Sequence, residues 1–203
     1  MTETGINTTN PLEGLRVAGS VGLALRDVTL RVTSPETGMA LSANEIGIIE
    51  VRGPNVFDGY WGMPDKTSAS FARDGFFKTG DLGRIDEGGY VHIVGRDKDL
   101  IITGGYNVYP KEIEIEIDAL DGVVESAVIG IPHPDLGEGV TAVVVKRAEC
   151  NLSEKQIMTH IADRLARFKL PKKIIFEDEL PRNAMGKVQK NQLREKNAKI
   201  FLR

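Results

Sequence analysis

Residues 77–116 read FKTGDLGRIDEGGYVHIVGRDKDLIITGGYNVYPKEIEIE, and the reading of the whole chain turns on them. β-prone runs at Phe76–Thr79 and Gly83–Ile85 flank Thr79-Gly80-Asp81. The turn Asp86-Glu87-Gly88-Gly89 then leads into Tyr90–Val94, a hairpin pattern. After Lys98 the pattern changes. Leu100–Thr103 forms a second β run, Gly104-Gly105 interrupts it, and Pro110 opens a charged segment. Two readings of Ile113-Glu114-Ile115-Glu116-Ile117 stand at this point: strict alternation is a strand template, whereas Pro110 with Glu112 is a helix start.

Working outward, residues 1–20 are rich in Thr, Asn and Gly without periodicity and read as loop. Val28–Val32 and Ile46–Val51 are short β signals at the close spacing of a small barrel or meander. Pro64–Arg73 reads as a short helix with proline in its first turn. On the far side, Val123–Ile131 and Val140–Lys146 are β-branched runs, and Ser153–Arg167 has helical periodicity with Ser153 as N-cap. Strands alternating with helices make the fold class α+β, with a barrel-like β-rich first part.

The bulk composition narrows the function classes. The 203 residues suffice for one large domain or two small ones, and 41% hydrophobic with 27% charged residues is ordinary for a folded protein. The net charge of −3 hides an asymmetry. Residues 1–145 carry 11 Lys/Arg against 22 Asp/Glu, a net −11, and residues 146–203 carry 15 against 7, a net +8. Basic residues in that tail are interleaved with apolar ones, which suits either a solvated helix face or a phosphate-facing surface. A single cysteine, Cys150, excludes an intramolecular disulfide framework and fits a cytoplasmic location. No apolar run reaches the roughly 20 residues of a membrane span, and the first residues lack a basic leader. His92, His133 and His160 lack metal-ligand spacing, and nucleophile-elbow, dinucleotide and nucleic-acid motifs are absent.

Four features carry chemistry in their own right. Asp81, just after a glycine, can offer two acceptor oxygens to a ribose diol, or can be a turn aspartate. Arg96 presents a planar fork suited to sugar or phosphate, and equally to a surface ion pair. Gly104-Gly105 permits close backbone approach of a thin ligand, or a tight hairpin. Lys187 lies in Pro181-Arg182-Asn183-Ala184-Met185-Gly186-Lys187, where Pro and Gly bracket a loop. It is no Walker A lysine, because Pro181 and Val188 occupy positions that motif reserves for Gly and Ser/Thr.

Taken in order, the motifs resemble the later motifs of the adenylate-forming enzymes. They are Met1-Thr2-Glu3-Thr4-Gly5, Phe77–Asp81, Gly95–Asp99, Gly104–Asn107 with Pro110 and Glu112, and Pro181–Lys187. The resemblance spans essentially the whole chain. Gly59-Tyr60-Trp61, the Gly104–Glu114 run and the Pro181–Lys190 loop are most similar to acyl-CoA synthetases, and with Asn7–Pro11 to their malonyl-CoA-forming branch.

That resemblance implies a two-step reaction. A small carboxylic acid attacks the α-phosphate of ATP, with Mg2+, giving acyl-AMP and pyrophosphate; coenzyme A then displaces AMP. Thr2 would bind phosphate and Glu3 would help hold the metal. Asp81 and Arg96 would hold the ribose, and Lys98 would fall at a hinge. Gly104 and Gly105 would border the pantetheine tunnel, and Lys187 would bridge α-phosphate and carboxylate. It further implies that residues 1–95 are the β-rich end of a large N-terminal domain, 96–99 the hinge, and 100–203 a lid domain. The phosphate loop and acid pocket would lie in a missing N-terminal portion, leaving the chain inactive alone. Lys187 would be a target for a lysine acetyltransferase, since acetylation removes its charge. The alternative is a non-catalytic regulatory module that binds nucleotide or CoA. No nucleic acid partner and no membrane span are expected.

Overall fold

The computed structural model describes residues 1–202, which divide between Lys98 and Asp99 into two compact units. In the first unit β1 (Thr8–Thr9) pairs with β2 (Leu23–Ala24) as a small antiparallel ribbon. The main sheet is antiparallel in the order β3 (Thr29–Thr33), β4 (Gly47–Arg52), β5 (Phe77–Ile85), β6 (Val91–Arg96). It is an open sheet: among the described residues its strands do not close into a barrel, so the barrel-like character expected from strand spacing takes the form of a meander. The turn after β5 is held by Asp86, whose Oδ1 accepts from the backbone N–H of Gly88 and Tyr90 at 3.0 and 2.9 Å.

Between β4 and β5 lies α1 (Pro64–Ser70), with Pro64 in the first turn. The helix stops three residues before the expected Arg73. Phe71 turns extended there, bridges to Phe77, and joins an aromatic cluster with Phe57 and Tyr60 at centroid distances of 4.9–6.1 Å. Burying that ring outweighs one more helical turn.

The second unit is built around β10. A hairpin of β7 (Ile101–Thr103) and β8 (Tyr106–Val108) precedes α2 (Pro110–Asp118). The long strands β9 (Val123–His133) and β10 (Gly137–Lys146) pair antiparallel. From β10 the chain crosses through α3 (Glu154–Ala162) to β11 (Lys173–Glu177), which lies parallel to β10, and α4 (Lys190–Asn197) follows. β10 is covered on both faces, so its side chains alternate between two cores rather than between core and solvent. Val140, Ala142 and Val144 pack with Ile113, Ile117, Ile157 and Ile161. Val143 and Val145 pack with Ile129, Ile131, Leu180 and Leu193 on the other side.

Segment 113–117 is helical. Ile113 and Ile117, one turn apart, are fully buried, whereas Ile115 is 54% exposed. A strand would have sent all three to one face. The deciding residue is Glu114, buried in α2, whose Oε1 accepts from the Val128 N–H on the edge of β9 that faces away from β10. Lys190 at the start of α4 donates to the same oxygen at 2.6 Å. One carboxylate thereby satisfies an otherwise unpaired strand edge and joins helices on two sides of the sheet.

α3 carries the expected cap: Ser153 accepts from Gln156 N–H, and the Gln156 side chain returns to the Ser153 N–H. The helix ends at Ala162 rather than continuing to Arg167, because Leu165 folds back onto the core and Arg164 caps the His160 carbonyl at 2.9 Å.

Candidate functional site

In the first unit the site grows from a break in β5. Phe77 and Lys78 pair with Val51 and Glu50, while Leu82 and Gly83 pair with Ile48 and Gly47, so Thr79, Gly80 and Asp81 together face Ile49 alone. The surplus residues leave the ladder as a bulge, and Gly80 takes φ +71, a left-handed conformation that glycine adopts without strain. Thr79 anchors the bulge from beneath. Its hydroxyl donates to the Ile49 carbonyl at 2.8 Å and accepts from Asp81 N–H at 3.0 Å.

Asp81 consequently stands across from Arg96 on β6, whose Nε lies 2.9 Å from Asp81 Oδ1. Arg96 also donates to the Thr79 carbonyl at 3.4 Å. Both acid and base keep partial exposure, 20% and 44% of their side chains. The two residues singled out separately in the sequence are thus brought together. An ion pair at a bulge presents an anchored carboxylate on a strand, whose oxygens are acceptors of the kind a diol can bond.

The N-terminal segment is fixed to the same aromatic cluster. The Glu3 carbonyl accepts from Phe57 N–H at 2.8 Å, and the Phe57 ring packs edge-on against Phe77 at the start of β5. The Tyr60 hydroxyl donates to Glu3 Oε1 at 3.2 Å. Burial, and then that bond to Glu3, hold the Tyr60 phenol above its ordinary pKa. Asn55 adds a second tie, its amide donating to the Thr4 carbonyl at 2.8 Å and to Asn7 Oδ1 at 2.9 Å. Thr2 and Lys98 are exposed.

No group of three or more His, Cys, Asp or Glu capable of holding a metal occurs among the described residues. A lone, half-buried carboxylate such as Glu3 still fits Mg2+, which takes one or two carboxylates and draws its other oxygens from phosphates and water.

In the second unit Gly104 and Gly105 are the two central residues of the β7–β8 hairpin, with Thr103 opposite Tyr106. Their φ values of +56 and +81 are those of a type I′ turn, so the tight-hairpin reading describes their backbone. Both are exposed, and Tyr106 beside them stacks on Phe168 at 4.7 Å. Lys187 lies on the exposed loop between Pro181 and Val188. Asn183 organises the loop: its Oδ1 accepts from the Met185 and Lys187 N–H groups, both at 3.0 Å. No hydrogen bond or ion pair to the Lys187 ammonium is found within its unit among the described residues, whereas other lysines of that unit are paired, such as Lys169 to Glu112 at 2.6 Å and Lys196 to Glu177 at 2.7 Å.

Sequence reasoning missed Asn55, Tyr60 as a partner of Glu3, Arg182 and Asn183. Asn183 had a legible signal, since Asn three residues before Gly is turn chemistry. The others act through long-range pairing that spacing does not reveal.

Comparison with known proteins gives two family matches. Residues 1–61 match the AMP-binding enzyme family and residues 112–187 match the AMP-binding enzyme C-terminal domain. The chain is 39% identical over 206 residues to a malonate–CoA ligase of Arabidopsis thaliana, covering 96% of this chain and 33% of that protein. It is 40% identical over 194 residues to a long-chain-fatty-acid–CoA ligase of Yersinia pestis, covering 95% and 34%. Among solved structures it is similar to ATP-bound MatB from Rhodopseudomonas palustris, with 64% identity, a TM-score of 0.94, and coverage of 99% of this chain and 40% of that one. The chain therefore spans between a third and two-fifths of the length of these relatives.

Proposed function

The chain belongs to the AMP-binding enzymes, the adenylate-forming acyl-CoA ligases, and on that premise we propose that it supplies the ribose grip and the mobile lysine of an ATP-dependent acid–thiol ligase. The observation that carries this reading is Lys187, an ammonium on a bonded loop with no anionic partner in its own unit among the described residues.

Each residue then has a task. Asp81, oriented by Arg96 and Thr79, accepts both ribose hydroxyls of ATP. Thr2 donates to phosphate, and Glu3, steadied by Tyr60, contributes a carboxylate oxygen to Mg2+. The metal, when bound, neutralises charge on the phosphates. Lys187 meets the charge that builds on the α-phosphate and carboxylate as the acyl–phosphate bond forms and pyrophosphate leaves. A point charge placed there needs to do no covalent work. For the thiol step we propose that CoA passes along the side-chain-free tip at Gly104-Gly105, and that a hinge at residues 96–99, including Lys98, allows one site to serve both half-reactions.

Malonate is the proposed acid, supported by the Arabidopsis relative and by the likeness to MatB. The acid pocket and phosphate loop are proposed to reside in an N-terminal portion corresponding to the remaining length of the relatives. Acetylation of the exposed Lys187 by a lysine acetyltransferase would switch off the first step by removing its charge. We place the protein in the cytoplasm on the strength of its single free thiol; no described helix is long and apolar enough to cross a membrane.

The test is carboxylate-dependent exchange of labelled pyrophosphate into ATP, in a chain extended to the relatives' full length. Lys187→Ala is expected to lower exchange by about 100-fold or more, the cost of one charge-stabilising donor. Exchange within threefold of the parent would overturn the assignment of Lys187. Malonate is expected to support exchange better than a long-chain fatty acid does; the reverse order would overturn the choice of acid.

A further inference from the structure

The loop that carries Lys187 is held by polar bonds rather than by burial. Arg182, Asn183, Ala184, Met185, Gly186 and Lys187 are all exposed, with Met185 at 79%. Yet the peptide group joining Gly186 to Lys187 is gripped from both edges. Arg182 Nη1 donates to its carbonyl at 2.6 Å, and its N–H donates to Asn183 Oδ1 at 3.0 Å. The next peptide group is held as well, because the Lys187 carbonyl accepts from Asn183 N–H at 3.0 Å. Peptide planes on both sides of the Lys187 Cα are therefore fixed, which sets the direction in which its side chain leaves the backbone. The frame is anchored at its far end by Arg182 Nη2, which pairs with Glu125 on β9.

A loop that only connected two elements would need none of this, since exposed backbone is satisfied by water at little cost. We propose that Arg182 and Asn183 are positioning residues that aim Lys187, with Glu125 as the fixed point on the sheet. A long flexible lysine loses much of its electrostatic value if its base also wanders, so holding both flanking peptides fixes the Cα–Cβ direction from which the stem starts and narrows the region the ammonium can reach. This inference rests on the reading of Lys187 as the charge-stabilising group.

Chemistry separates the two residues. Asn183 acts on the Met185 and Lys187 amides through its oxygen, an acceptor that Asp retains. Arg182 spans two acceptors with two nitrogens of one plane, which a lysine ammonium cannot reproduce.

In pyrophosphate exchange by the chain extended to the relatives' full length, Asn183→Ala and Arg182→Met should each lower kcat tenfold or more, with KM for ATP and carboxylate within twofold. Asn183→Asp should recover to within threefold of the parent, and Arg182→Lys should not recover. In parallel, hydrogen exchange in the 203-residue chain should show the Lys187 amide at least tenfold faster in Asn183→Ala, parent-like in Asn183→Asp, and unchanged at Val143 in the core. If Lys187→Ala abolishes exchange while Asn183→Ala keeps kcat within twofold, positioning is overturned and the lysine assignment stands. If Lys187→Ala itself retains exchange, the assignment beneath it fails instead. Equal loss in Asn183→Ala and Asn183→Asp would overturn the acceptor role.

Discussion

Removing the Glu114 carboxylate should loosen the second unit more than any other single polar change. In Glu114→Ala the Val128 N–H loses its acceptor at 2.9 Å and Lys190 loses its partner at 2.6 Å, with the Lys190 side chain only 17% exposed. An orphaned buried N–H costs about 1–3 kcal/mol. Leaving a buried charge without its partner costs about 3–5 kcal/mol when burial is complete. Lys190 is not fully enclosed and can reach toward water along its stem, so the expected total is about 3 kcal/mol rather than the sum. For a unit of this size that is a fall in Tm on the order of 10 °C. Glu114→Gln keeps an oxygen for the Val128 N–H and should cost about half as much. The sole tryptophan, Trp61, lies in the first unit and is blind to this change. Urea unfolding is therefore to be followed by far-UV circular dichroism, together with hydrogen exchange of the Val128 amide. A loss below about 0.5 kcal/mol in Glu114→Ala, with Val128 exchange unaltered, would refute the edge-pairing account.

The first unit should weaken in acid through Asp86, whose pKa is held below the usual carboxylate value by the hydrogen bond to His92 and by the Tyr90 and Gly88 amides. A depressed carboxylate stabilises the fold above its unfolded pKa and loses that contribution as pH falls through the folded one, so the slope should appear below about pH 4 and flatten in Asp86→Asn. Tm measured from pH 7 down to pH 3 checks both signs. Gly105→Ala forces an L-residue to φ +81 in the hairpin and should cost about 1–2 kcal/mol, read by thermal unfolding; no change would refute the left-handed turn. Ser153→Ala removes the hydroxyl that accepts from the Gln156 N–H at the cap of α3, leaves its own backbone N–H on Gln156 Oε1, and should cost about 1 kcal/mol in urea unfolding, whereas Ser153→Asp should keep most of the cap.

What the sequence shows plainly is local chemistry. The Asp86–Gly89 turn, the Ser153 cap and the proline-led helix α1 each follow from residues within a few positions of one another. Ile113–Ile117 is different, because its alternation satisfies a strand template and only the pairing of Glu114 with a distant strand edge selects the helix. The short strand β11 and helix α4 carry weak periodicity and owe their form to the sheet they complete. At the site, Asp81 and Arg96 stand out in the sequence as residue types, but their pairing depends on the register of β5 and β6. The frame around Lys187 was hidden for the same reason, since Arg182 reaches Glu125 across 57 positions of chain.

β10 has one further consequence. A strand whose alternate side chains belong to different cores has no neutral side on which substitutions can accumulate. Enlarging Val144 to repack one core would displace the backbone that carries Val143 and Val145 into the other. The two faces are thus obliged to evolve together, and sequence drift in the helices on one side should be traceable as compensating volume changes around Leu180 and Leu193 on the other.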